Sequence, residues 1–303
     1  MNLGGPAYAL LSAATWGSGD FFGGLASRLG GLRPALVLTQ LFGVLLALAL
    51  LPLANEAPPT IEGFAWAAVA GVAGVTGVGC LYMALSAGTM GLVAPLTGLI
   101  AAAVPAIVGV LRGEPVGPVL LLGMMAALAA VVVISLPDRP PGRTHEPASA
   151  AARTGSRVRE WALILGAGLG FAGFYLLVDL AHGTGAGTAY TLVGVRMAST
   201  AVAAVLLLAP IAAGRPTGFP VSRRVVGLSF LTGLGDTGGN IFFIVASGVG
   251  ALSVTVVLAS LYPVSTALLA RVVLRERLSP VRIAGVALAI VGAVLISAGS
   301  VGA

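Results

Sequence analysis

Ten stretches of about 20 residues, each almost wholly apolar, follow one another along the 303-residue chain: 6–27, 34–54, 63–85, 91–111, 116–136, 160–181, 187–212, 225–247, 250–272 and 280–300. A membrane-spanning helix needs about 20 such residues, and in hydrocarbon only helices and closed barrels satisfy their own backbone hydrogen bonds. The pattern predicts an all-α membrane protein with ten transmembrane helices. Composition agrees: 58% of residues are hydrophobic and 9% charged, against roughly 25% charged in soluble domains. All sixteen basic residues are arginine, and the formal charge is +6. In a soluble chain that charge would suggest nucleic acid; here it fits loops anchored at a membrane surface, with no nucleic-acid partner. The opening "MNLGGPAYALL" lacks a basic segment, so it reads as the start of the first helix and not as a cleaved signal. The one cysteine, Cys80, has no second thiol to pair with and reads as a small buried hydrophobe.

Residues 137–159 break the pattern. Rich in Pro, Ser and Arg, they read as a flexible linker between 1–136 and 160–303, each half carrying five helices. The halves repeat. A shift of 162 residues lays Gly88 on Gly250, Leu96 on Leu258, Glu114 on Glu276, Pro118 on Pro280 and Gly123 on Gly285 without a gap. A shift of 153 lays Gly17 on Gly170, and one of 156 lays Gln40 on Arg196. Because five is odd, the second half must enter from the opposite side of the membrane, giving two inverted five-helix repeats (5+5) around a central cavity, as in transporters. Fourteen arginines fall in connections after odd-numbered segments, Arg112 alone falls on the opposite side, and Arg196 lies within a segment. The positive-inside rule makes the first set cytoplasmic and places both termini outside.

An ionised group at the bilayer centre costs about 2.5–3.5 kcal/mol on insertion scales, so it persists where it faces a bundle interior or water. Asp236, in "LTGLGDTGGN", lies near the middle of the eighth segment and Arg196 near the middle of the seventh, at depths of roughly 17 and 13 Å from the outer end. They are expected to form an ion pair at the cavity wall, with Asp236 either holding a proton or cation, or only neutralising Arg196. The glycines around Asp236 are expected to admit neighbouring helices and to loosen the helix so that carbonyls face a ligand. Asp20, in "TWGSGDFFGG", repeats the motif beside Trp16, and an aromatic wall near an acid suits an amine; the alternative is that the first helix ends early and Asp20 is merely wet. Gln40 would supply a neutral hydrogen bond opposite Arg196, and Asn240, one turn beyond Asp236, would reach the same ligand. Tyr82, Tyr175 and Tyr262 are further cavity-lining candidates. His182 reads as a helix-end histidine in water, and Glu114 and Glu276 as members of loop-closing ion pairs. No phosphate-cradling Gly-x-x-x-x-Gly-Lys loop, metal cluster or nucleophilic triad is present, so neither enzyme, metal nor cofactor is expected.

In "APLTGLIAAAVPAIVGVLRGEPVGPVLLLG" and in the stretch from Val257 to Ser297, the chain resembles the two copies of the EamA domain of the drug/metabolite transporter (DMT) superfamily. The second copy carries Leu261-Tyr262-Pro263, Arg275-Glu276, Leu278-Ser279-Pro280, Gly285 and Gly292; the first departs, with Ile100-Ala101 in place of Tyr-Pro. The resemblance implies ten helices, a central cavity, and export or exchange of small metabolites, amino acids or drugs. It also implies cytoplasmic termini, opposite to the arginine count. The resulting expectation is a secondary transporter of the inner membrane, a monomer or homodimer among lipids, exporting a small molecule by alternating access with protons or exchange as the driving force. The alternatives are an importer of a sugar or anionic solute, and a membrane channel or scaffold.

Overall fold

The computed structural model describes residues 4–87, 90–136, 150–212, 221–275 and 279–300. They form α1 (Gly4–Gly30), α2 (Leu32–Leu50), α3 (Ile61–Ala87), α4 (Met90–Leu111), α5 (Pro118–Ser135), α6 (Ala150–Gly183), α7 (Thr188–Ala212), α8 (Arg223–Val249), α9 (Leu252–Ala259), α10 (Tyr262–Val273) and α11 (Pro280–Gly299), with no strand among the described residues. Eight stretches are long and apolar enough to cross a membrane, and Leu96–Leu111 within α4 is a shorter apolar helix. The 27 residues of α1 are also long enough, at about 40 Å, but its glycines and Asp20 lower its hydropathy.

Helix ends follow local chemistry. Ser222 and Ser279 accept hydrogen bonds from the backbone N–H of Val225 and Arg282, capping α8 and α11, and Pro118 and Pro280 sit in the first turn, where no N–H is needed. The exit of α4 is a Schellman turn: Gly113 N–H donates to Val110 O and Glu114 N–H to Gly109 O, with Gly113 at φ +92. Its repeat counterpart, Arg275, takes φ +56 after α10. The two halves thus share a left-handed turn at the same place, although only one supplies glycine.

Two expectations need correction. The segment 250–272 is not one helix: it breaks between α9 and α10, because Pro263 has no N–H to return to the carbonyl of Ala259. In the first half Ala101 stands at the proline's position and α4 runs unbroken. The linker is also shorter than 137–159. Residues 150–159 continue α6 as helix, since an Ala- and Arg-rich stretch propagates helix in water. Residues 137–149, Gly88 and Glu276 lie outside the described residues.

The glycines reveal the register. Along α5 and α11 the facing pairs are Leu120 with Gly299, Gly123 with Ile296, Ala127 with Gly292, and Ile134 with Gly285. One number rises as the other falls, so these repeat-related helices are antiparallel. Gly5 faces Gly250 and Gly30 faces Val225 across α1 and α8, and Gly63 faces Thr184 and Gly77 faces Phe171 across α3 and α6; both pairs are antiparallel as well. The closest packings are α1 on α8, α3 on α6 and α5 on α11, followed by α3 on α7, α4 on α6, α2 on α8 and α1 on α10, with α2 on α7 as close as the last. Exchanging the two halves maps this pattern onto itself. It divides the bundle into two groups, α1–α2–α8–α9–α10 and α6–α7–α3–α4, each built from both halves. The α5–α11 pair stands beside them.

Candidate functional site

A cavity of about 180 Å³ lies between the groups, lined by Trp16, Asp20 and Tyr262 from the first, Phe174, Tyr175, Val195 and Ser199 from the second, and Gln40, Arg196, Asp236, Asn240 and Ser260 where they meet. Eight of the nine residues singled out in the sequence converge here; the side chain of the ninth, Tyr82, lies outside the described residues.

Arg196 and Asp236 do meet. Arg196 Nη1 donates to Asp236 Oδ2 at 2.6 Å and lies 3.3 Å from Gln40 Oε1. Arg196 is 2% exposed, whereas the Asp236 side chain is 38% exposed, so the acid faces the cavity and the guanidinium stands behind it. Arg196 Nε and Nη2 are buried without hydrogen-bond partners among the described residues. The pair joins the two groups, with Arg196 on α7 and Asp236 on α8. Thr200 reinforces the seam by donating to Gln40 O at 3.3 Å.

Asp20 is exposed to the cavity and has no ion pair among the described residues. A Cβ on Gly19 would sit 3.0 Å from Asp236 N, so the two acids lie level on paired helices. The reading in which α1 stops at Asp20 is overturned, since the helix continues to Gly30. Beside Asp20 is an aromatic wall. Trp16 stacks on Phe243 at 5.6 Å and lies 6.0 Å from Tyr175, whose ring is 4.8 Å from Phe243. Trp16 Nε1 donates to Asn240 Oδ1 at 2.9 Å, so Asn240 orients the indole in addition to facing the cavity.

The glycines of α8 serve close approach and not loosening, because α8 is one unbroken helix. A Cβ on Gly235 would lie 2.8 Å from Gly19 Cα, and one on Gly239 would enter the Trp16 ring. Other charged residues go elsewhere. Asp179, near the end of α6, pairs with Arg112 at 2.7 Å. Glu114 closes no ion pair among the described residues: it accepts from the N–H groups of Leu252 and Ser253 at 2.7 and 2.9 Å. Sequence reading missed this because its partner is backbone. His182 packs its ring against Gly248 with Nε2 buried, so it is not simply in water. Among the described residues no group of three metal-ligating side chains occurs.

The family model described as "EamA-like transporter family" matches residues 3–136 and 162–298. A solved structure described only as "Crystal structure of protein" is similar over 98% of this chain and 98% of its own, with a TM-score of 0.71 and 18% identity, a likeness of fold. No curated protein matches.

Proposed function

Since the chain belongs to the EamA-like transporter family, and is thus a multi-pass membrane transporter, we propose that it exports a small metabolite, amino acid or drug-like compound across the inner membrane by alternating access, driven by a proton gradient or by exchange. The observation that carries this reading is the cavity, where Asp20, without an ion pair among the described residues, stands before an aromatic wall and beside the Arg196–Asp236 pair. An unpaired acid there takes either a proton or a cationic group, and aromatic faces favour an amphipathic cation. The antiparallel seam of α5 and α11 supports ten spans in two inverted repeats, 1–136 and 160–303, counting α1 and α4 as spans and α9 with α10 as one. Rocking then takes place between the two interleaved groups and not between the sequence halves.

The test compares the medium of cells expressing wild type, Asp236→Asn or Asp20→Asn, matched for membrane level, by untargeted metabolite profiling. A compound enriched outside only with wild type identifies the substrate class and the direction. Equal gradient-driven transport by both variants rejects coupling through these acids. A second reading, transport of an anionic solute, draws on the two nitrogens of Arg196 that have no hydrogen-bond partner among the described residues. On that reading Arg196→Gln weakens substrate binding more than Asp236→Asn.

A further inference from the structure

We propose that α9 is a hinged gate at the Arg112 end of the bundle, with Glu114 as its latch, an inference that rests on the alternating-access reading. Three observations converge. All eight residues of α9 are buried, whereas α10, packed on α1, has no fully buried residue, so α9 is the embedded piece of the broken helix. The pieces join at Ser260 and Leu261, and Ser260 and Tyr262 line the cavity. α9 therefore runs from the cavity to the end where Arg112 meets Asp179.

Its outer end is held from the opposite group. Both carboxylate oxygens of Glu114, on the α4–α5 connection, accept N–H groups of the first turn of α9. They satisfy donors that no helical carbonyl can reach and complement the positive end of the helix dipole. The latch is built by its surroundings. The left-handed Gly113 turns the chain back, and Gly109 leaves a space in which a Cβ would lie 2.6 Å from Glu114 Oε2.

Opening the cavity toward this end requires α9 to swing about the Pro263 break, which first breaks both Glu114 bonds. Glu114 is thus a positioning residue: it touches no substrate and sets how often this end opens. A discontinuous helix beside the site is a known means of alternating access; here the discontinuity and its restraint are specific residues.

The experiment places a reporter cysteine at Ser260 in a Cys80→Ala background and offers a membrane-impermeant maleimide to one face of sealed vesicles at a time, without substrate. With Glu114→Gln, labelling from the Arg112 face should rise about tenfold, as expected when two charge-assisted hydrogen bonds are weakened, while labelling from the other face falls or holds. Unchanged or reduced labelling from the Arg112 face overturns the latch. Should Glu114→Gln not accumulate in the membrane, Pro263→Ala decides. Restoring an N–H to the break stiffens it, so labelling from the Arg112 face should fall below that of the parent; unaltered labelling rejects the hinge. Because the readout needs no transport, a protein that labels as expected yet moves no solute would refute the transport reading while leaving the gate intact.

Discussion

Arg275 holds a left-handed backbone, φ +56, that its first-half counterpart Gly113 adopts without a side chain. A non-glycine residue there costs roughly 1–2 kcal/mol. Arg275→Gly is therefore expected to raise the melting temperature in detergent, with a stabilisation of about 1 kcal/mol; no gain would mean that the arginine's own contacts offset the strain. Trp16→Phe should keep the aromatic wall but leave Asn240 Oδ1 buried without its donor, costing about 1–3 kcal/mol, and should perturb substrate affinity more than turnover. At this scale the sequence was informative where physics allows few solutions. A charge inside an apolar helix needs a partner or water, which is why Asp236 and Arg196 could be expected to meet from their depth, and Gln40 opposite them from repeat position, whereas Asp20 was left between the cavity and a wet helix end. It was uninformative where the partner is backbone: the bonds from Leu252 and Ser253 to Glu114 leave no trace in residue type.

Among the elements, α8 shows how small residues set helix spacing. Gly235 faces Gly19 across the tight α1 seam, while Gly227 on the same helix has nothing within 4 Å of its would-be Cβ. Gly235→Ala should therefore separate the helices and destabilise by about 1–3 kcal/mol, whereas Gly227→Ala should be neutral or gain up to about 1 kcal/mol from helix propensity. Comparing the two variants by thermal melting isolates seam packing from propensity; equal effects would contradict close approach as the role of Gly235. Helix positions were legible because 20-residue apolar runs admit little else. The break at Pro263 was hidden, since transmembrane helices also carry prolines at simple kinks, and α6 was read too short because polarity was taken for disorder in a stretch that is helical beyond the apolar run.

For the whole molecule, the repeat in the sequence anticipated two related halves, but not that each packed group would mix them. Intra-half hydrophobicity carries no information about which half a helix packs against. The α5–α11 pair lies beside both groups. A cysteine pair at Ala130 and Ala289, one turn from the Ile134–Gly285 contact, should thus form a disulfide without stopping solute flux in proteoliposomes; loss of flux on oxidation, regained on reduction, would show that this seam moves in the cycle.

On the alternating-access reading, Pro263 and its counterpart Ala101 also bear on the balance of the transport cycle. In a chain whose halves were identical, exchanging their conformations would turn the state open on one side into the state open on the other at no change in energy, and each would be occupied half the time. Every mismatched pair of positions tilts that equality. A proline on one side and an alanine on the other is such a tilt, so the preferred resting orientation is a sum over unlike residue pairs, adjustable one substitution at a time.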